Sequence, residues 1–386
     1  MANRFSTTEV RPAGRQKWAS RLLPWRREHI ATQPPQVDGL IFDRPPIRRI
    51  LTIDGGGIKG VFPAAFLATI EEQLGQPIGN YFDLIAGTST GGIIALGLGF
   101  GQTAGEILSM YRETGKRIFA GRRLTMSLSG ILRARYSMEP LRSVLIEAFG
   151  DKRLGDSHKR LMIPSLNLAA EQVYMYRTAH HPKLVRDYKM SALDVALAAV
   201  AAPTYFPIHL SPDGLPFIDG SVWARNPVAL AVVEAICTLE WPKDELRILS
   251  LGCTSVHLNI SWQHKVSLGQ GYWAVRLADL YMKAQSSSAL AMTHDLIGPA
   301  GLFRISPDVT GRGFTIDGAE HIPELEALGR AEASKSLPAL QDIFFTEPAE
   351  PFVPYYRNED SEPIPAVDET PAFNSPALRA GAVRSG

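Results

Sequence analysis

The sequence predicts a layered α/β domain. Three observations carry that prediction. Strand-like and helix-like segments alternate through the middle of the 386-residue chain, three consecutive glycines separate the first strand from the first helix, and a second strand runs into Gly-Thr-Ser-Thr-Gly ahead of a wholly apolar helix.

The first strand is Arg49–Ile53, followed at once by Asp54, Gly55, Gly56, Gly57, Ile58, Lys59 and Gly60. A helix comes next: Pro63 suits its first turn, Phe66, Leu67, Ile70 and Leu74 form its apolar stripe, and Gly75 stops it. Phe82–Ala86 reads as a short buried strand entering Gly87-Thr88-Ser89-Thr90-Gly91. Gly92 to Phe100 is apolar all round, which places a helix in the centre of the fold. Thr103 and Glu106 form a capping box that starts another helix. Residues 113–160 are richer in arginine and less regular, as expected of an inserted cap, and further strands fall at Leu161–Leu168, Val173–Arg177 and Leu246–Leu251.

A C-terminal helical or mixed part is expected over 256–345, packed on the alternating core that precedes it. Residues 1–46 are a basic arm in which Arg15, Lys17, Arg21, Arg26 and Arg27 interleave with Trp18, Leu22, Leu23 and Trp25. That pattern suits either a solvated arm or a peripheral anchor on an anionic membrane. Residues 346–386 carry seven prolines and no apolar periodicity, so this tail is expected to be disordered.

Composition narrows the function. Lys and Arg total 40 against 39 Asp and Glu, which argues against a binder of nucleic-acid polymers. Two cysteines, Cys237 and Cys253, exclude a disulfide-stapled scaffold and a cysteine zinc site, and no metal site is expected. Gly91–Phe100 and Val195–Pro203, the longest apolar stretches, fall short of the roughly 20 residues a bilayer span needs. With no apolar signal-peptide core at the start, the expected location is cytoplasmic, if anything peripheral at the inner membrane face.

Gly55, Gly57 and Gly60 match the spacing of a dinucleotide loop, but that reading needs an acid at the end of the second strand, where Gly87, Thr88 and Ser89 stand. Consecutive glycines also let backbone N–H groups converge on one spot, the geometry an oxyanion hole requires. Gly87-x-Ser89-x-Gly91 between a strand and a buried helix is a nucleophile elbow, with Ser89 lifted onto a helix N-terminus. Ser89 then needs a base. The histidines beyond it are His158, His180, His181, His209, His257, His264, His294 and His321; His257 stands nearest a favourable place, a few residues beyond Leu246–Leu251, but no neighbouring acid marks it out. The other solution is a carboxylate: Asp219 ends a short strand, Phe217-Ile218-Asp219, with Gly220 beside it.

The glycine loop Asp54–Gly60, the elbow Gly87–Gly91 and Asp219-Gly220 together resemble the patatin-like phospholipases, in order and across residues 47–255. Ala201–Pro207 and Leu246–Gly252 share the likeness. The resemblance implies a three-layer α/β/α fold with a central, mostly parallel sheet and a serine–aspartate dyad without catalytic histidine. It implies Ser89 as nucleophile, Asp219 as general base, and N–H groups of Gly55, Gly56 and Gly57 as the oxyanion hole. Gly60, Gly87, Gly91 and Gly220 are then motif glycines. Ser221 departs from the small residue usual after Asp-Gly, and Lys59 stands where relatives often carry arginine. The implied activity is hydrolysis of glycerophospholipid acyl esters without a cofactor. The Arg49–Gly60 and Leu84–Leu96 segments look most like bacterial effectors of cyclic-nucleotide antiphage signalling. Those degrade the cell's own membrane when a cyclic dinucleotide binds, which adds that ligand, and a homo-oligomer, to the expected partners. A Ser-Asp-His hydrolase and a non-catalytic lipid-binding module are the rival readings.

Overall fold

The computed structural model describes residues 47–119, 134–254, 270–309 and 314–358. The basic arm, residues 120–133 of the expected cap and the tail from 359 lie outside the described residues.

The strands are β1 (Arg48–Ile53), β2 (Leu84–Gly87), β3 (Arg160–Asn167), β4 (Gln172–Arg177), β5 (His209–Leu210), β6 (Pro216–Asp219), β7 (Leu246–Leu251) and β8 (Leu302–Ile305). Among the described residues the α-helices are α1 (Val61–Leu74), α2 (Thr90–Gly99), α3 (Ala104–Ile118), α4 (Glu139–Phe149), α5 (Ala192–Val200), α6 (Ser221–Ala224), α7 (Val228–Val233), α8 (Gln270–Ile297) and α9 (Ile322–Phe344). The sheet order is β5-β6-β3-β2-β1-β7-β8, with β4 also on β3. Strands β3, β2, β1, β7 and β8 run parallel, and β4, β5 and β6 add antiparallel pairings.

Helices cover both faces, as the period-2 alternation of each strand requires. Leu51, Ile53 and Ile85 point into one apolar layer with α1, α2, α3 and α9, while Ile50, Leu84 and Ala86 point into the other with α7 and α8. This is the three-layer arrangement with a largely parallel centre that the motifs imply. Gly75 ends α1 in the left-handed conformation (φ 65°), and Thr103 with Glu106 closes a reciprocal capping box on α3.

One feature of the pairing positions the site. Strand β2 pairs with β3 in parallel up to Ala86–Met162, and β6 pairs with β3 antiparallel from Phe217–Asn167 down to Asp219–Ser165. Strand β4 pairs along Met162 to Asn167 and therefore occupies the opposite edge. So β2 and β6 share one edge of β3 and point at each other, with their C-terminal ends meeting beside Ile163 and Pro164. Gly220, the first residue beyond β6, lies so close to β3 that a Cβ there would stand 2.4 Å from the Pro164 carbonyl.

Boundaries differ from the sequence reading where side chains or close approaches intervene. Strand β2 begins at Leu84 rather than Phe82, because Asp83 turns its carboxylate to accept from the Arg49 amide (2.8 Å). Helix α2 begins at Thr90, two residues before the apolar run, through glycines that pass hard against neighbouring backbone. The segment beyond 255 adds β8 to the sheet edge and lays α9 along α1.

The expectation of a loose tail from 346 is corrected over residues 346–358. Arg49, nearly buried, donates to the carbonyls of Phe344 (3.1 Å) and Glu347, and Arg48 pairs with both Asp83 (3.3 Å) and Glu350 (2.6 Å). Phe352 is buried, the Tyr355 amide donates to Ala179 (2.8 Å), and the Tyr356 hydroxyl donates to Pro182 (2.8 Å). Prolines remove helix and ladder options, yet the chain still offers amides and rings to the core.

The α1–α9 contact depends on a glycine. A Cβ on Gly329 would stand 2.6 Å from the Phe62 carbonyl and 2.8 Å from the Ala65 Cβ. Gly329→Val should therefore force the helices apart and lower stability by about 1–3 kcal/mol, read as a lower urea midpoint; an unchanged midpoint would show that the contact yields freely.

Candidate active site

Ser89 sits at the turn between β2 and α2 with φ 55° and ψ −125°, a left-handed conformation that side chains rarely adopt. Two glycines make the turn possible. A Cβ at Gly87 would fall 2.1 Å from the Gly91 carbonyl, and one at Gly91 would fall 2.5 Å from the Ile53 carbonyl. The strained turn places Ser89 at the N-terminus of α2, where the helix dipole favours developing negative charge.

Asp219 arrives from the facing end of β6. The Ser89 hydroxyl donates to its Oδ2 (2.6 Å), and the Ser221 amide donates to its Oδ1 (2.7 Å). Both residues are buried, Asp219 to 1% exposure and Ser89 to 6%. Burial pushes the Asp219 carboxyl up to about 6, against the pull of the Ser89 and Ser221 hydrogen bonds. The departure at Ser221 therefore leaves the base's second oxygen held, since the amide makes that bond.

The glycine loop lies across Ser89 and Asp219. A Cβ on Gly55 would meet the Ser221 hydroxyl at 2.6 Å and the Ser89 Cβ at 3.1 Å, so only glycine lets the loop approach the nucleophile. The Gly55 amide is not open to a ligand: it donates to the Arg225 carbonyl (2.9 Å), which corrects the expectation that all three glycines offer donors. The Gly56 and Gly57 amides have no acceptor among the described residues, and Gly57 adopts φ 60°. Gly60 is held against the Tyr111 hydroxyl, 2.7 Å from where a Cβ would stand.

Sequence reasoning missed the residues that fix this loop. Arg304 on β8 grips Asp54 with both guanidinium nitrogens (2.9 and 2.6 Å). The Cys253 thiol donates to the Asp54 carbonyl (3.3 Å), and the Ile316 carbonyl accepts from the Ile58 amide (2.8 Å). Only the position of Cys253, at the end of the strand read at Leu246–Leu251, carried a signal.

Ser89 and Asp219 open into a cavity of about 390 Å³ whose wall is almost wholly apolar, with Ile93, Met110, Phe119, Leu145, Phe206 and Met282 among its lining. No described histidine lines it. His180 instead pairs with Glu234 (2.9 Å) and His209 with Asp194 (3.2 Å), while His257 and His264 lie outside the described residues. Among the described residues no cluster of three or more metal-ligating side chains occurs. No described helix is long and apolar enough to cross a membrane.

The family model for patatin-like phospholipase matches residues 51–232. A cGAMP-activated phospholipase from Pseudomonas aeruginosa is 36% identical over 255 residues, spanning 66% of this chain and 76% of the relative. The chain belongs to the patatin-like phospholipase family. Cyclic-GMP–AMP-activated phospholipases from Escherichia coli and Vibrio cholerae are each 31% identical and are matched over 96% of their own length, which is 80% and 79% of this chain. As a patatin-like phospholipase the protein is a lipid ester hydrolase, and the fold and enzyme class expected from the motifs both stand.

A carboxyl that ionises at about 6 sets a pH signature for this patatin-like phospholipase. With Asp219 as the general base that the resemblance implies, only the ionised form accepts a proton, so kcat/KM on a soluble short-chain ester should fall about tenfold per pH unit below 6 and level off above it. Stability should move the other way. Between 3.8, the ordinary carboxyl value, and about 6 the folded chain holds a proton that the unfolded chain releases, so this group's contribution is full below that window and is lost as pH rises through it. Asp219→Asn should accordingly keep or raise Tm at pH 8; a large drop would show that the carboxylate's hydrogen bonds outweigh its burial.

Proposed function

We propose that Ser89 and Asp219 form a catalytic dyad that cleaves acyl esters of glycerophospholipids, and that a cyclic dinucleotide activates the enzyme to degrade the cell's own membrane in antiphage defence. The observation that carries the chemistry is the 2.6 Å hydrogen bond from Ser89 to a buried carboxylate in the wall of an apolar cavity. The names of the relatives support the nucleotide and the phospholipid.

The cavity takes the acyl chain and brings the ester carbonyl over Ser89. Asp219 accepts the hydroxyl proton as Oγ attacks, and the Gly56 and Gly57 amides receive the negative charge on the carbonyl oxygen. Collapse of the tetrahedral intermediate breaks the ester bond. The leaving lysophospholipid oxygen takes the proton from Asp219, and the acyl group stays on Ser89. Water then attacks the acyl-enzyme, giving its proton to Asp219, and the fatty acid leaves as that proton returns to Ser89. Each group acts twice, which is why the two act as one unit.

That no histidine lines the cavity among the described residues favours the dyad over a Ser-Asp-His triad, and a strained serine bonded to a carboxylate has no purpose in a passive lipid binder. The test is lipid mass spectrometry on phosphatidylglycerol vesicles with and without cyclic GMP–AMP. Wild type should release lysophospholipid and fatty acid, more with the nucleotide present. Ser89→Ala and Asp219→Ala should each lose activity by thousands-fold while remaining folded. Retention of a tenth of wild-type turnover in either variant would falsify the dyad.

A further inference from the structure

A second cavity, of about 580 Å³, is lined by Asp54 and Lys59 of the glycine loop and does not include Ser89 or Asp219 in its lining. Its character is opposite to that of the acyl cavity. Four cations line it (Lys59, Arg225, Lys283 and Arg304) against two carboxylates, Asp54 and Asp279, an excess of two positive charges. The carboxylates are already engaged: Asp54 by Arg304 (2.6 Å) and Asp279 by Lys283 (3.0 Å).

Lys59 is left over. The residue is 8% exposed, and while its amide donates to the Gly56 carbonyl (3.3 Å), its ammonium makes no hydrogen bond or ion pair among the described residues. Burial, with the Arg225 charge adding to it, pulls its ammonium down to about 8. A buried cation without a partner is costly and calls for an anion. Two further groups on the same cavity are unsatisfied: Thr254 Oγ1 and Arg304 Nε are buried with no hydrogen-bond partner. Ser286, Ser287 and Ser306 add hydroxyls to the wall.

We infer that this cavity is a phosphodiester-binding site whose occupancy sets the glycine loop beside it. The inference rests on the proposed function for the two sources of that group, a cyclic dinucleotide or the headgroup of a phospholipid. The coupling runs through the lining itself. Lys59 lies in the 3-10 turn Gly57–Gly60 that continues the loop. The Arg225 carbonyl holds the Gly55 amide at 2.9 Å, and Arg225 lines both cavities. The Cys253 side chain packs on Gly56 so closely that a Cβ there would stand 2.5 Å away. An anion drawn between Lys59 and Arg225 therefore pulls on both ends of the segment whose Gly56 and Gly57 amides face the reacting carbonyl. It also supplies the charge that the empty arrangement lacks.

The test uses the full chain with Lys59→Met and, on an exposed position of α8, Ser287→Trp, which narrows the cavity without touching the loop. In one arm, equilibrium binding of cyclic GMP–AMP is measured in a Ser89→Ala background. In the other, KM is compared between phosphatidylglycerol vesicles and a soluble short-chain ester that carries no phosphate. Loss of one charged hydrogen bond is worth about 10- to 100-fold in affinity. A loss of that size in nucleotide binding assigns the site to the free ligand. A vesicle KM that rises at least about tenfold more than the soluble-ester KM assigns it to the headgroup. Lys59→Met removes an unpaired buried charge and should hold or raise Tm; should it unfold instead, Ser287→Trp decides. Nucleotide binding and vesicle KM that both stay within about twofold in a folded variant overturn the site and leave the proposed function standing. A wild-type protein that neither binds the nucleotide nor cleaves vesicles overturns the proposed function and this site with it, a result visible before any variant is made.

Discussion

Strand β3 gives one edge to two strands of opposite direction, and the active site depends on that arrangement. Ser89 and Asp219 are 130 residues apart in the chain. They meet because β2 ends running up that edge and β6 ends running down it, with Ile163 and Pro164 opposite the gap. Backbone ladders set the separation, not flexible side chains. A serine at the end of one strand and an aspartate at the end of the other then need only one rotamer each to touch. The rest of the molecule keeps that gap open and dry: α2 and α5 pack beneath it in one apolar layer, and β4 closes the far edge of β3.

The glycines follow from the same constraint. Three backbone segments, the elbow, the first loop and the turn after Asp219, crowd into a space where β-carbons do not fit. At Gly87, Gly91 and Gly220 the obstacle is a carbonyl 2.1 to 2.5 Å from the missing Cβ, so no side-chain adjustment would relieve it. Held this closely, Ser89 keeps a backbone conformation that would relax in isolation. The Asp54–Arg304 pair fastens the loop at its base, and because Arg304 belongs to β8, the last described strand clamps the loop that follows the first.

Legibility in the sequence tracks how each residue acts. Positions that must be glycine to let backbone pass backbone leave a local signature, and Gly55, Gly87, Gly91 and Gly220 were all readable from spacing. Ser89 and Asp219 were readable because each stands in such a signature at a strand end. Arg304 was not, because an arginine in a four-residue strand says nothing about a carboxylate 250 residues away. Ile316 acts through its carbonyl, which every residue has, so its type carries no information. The same holds for the Gly55 amide: three glycines look equivalent in sequence, and only the Arg225 carbonyl distinguishes the first from the other two. Prolines from 346 onward suggested a loose tail, and what binds residues 346–358 to the core is again mostly carbonyls and amides, together with Arg48 and Arg49 from the first strand.

The proposed dyad without histidine raises a question of base strength, and burial answers it. An ordinary carboxylate, near 3.8, is too weak to take a proton from a serine hydroxyl efficiently at neutral pH, where a general base works best with a value near the ambient one. A histidine meets that need with its unperturbed value. Here the environment supplies the difference: the water-excluded gap lifts Asp219 to about 6, and the Ser89 and Ser221 hydrogen bonds keep it from rising further. The same exclusion of water strengthens every amide aimed at the reacting carbonyl, since charge is poorly screened there. One physical condition thus serves the proposed base and the proposed oxyanion hole together. Its consequence is that anything admitting water to the gap weakens both at once, so on the proposed mechanism closure of the cavity around an acyl chain and competence of the dyad are linked by construction.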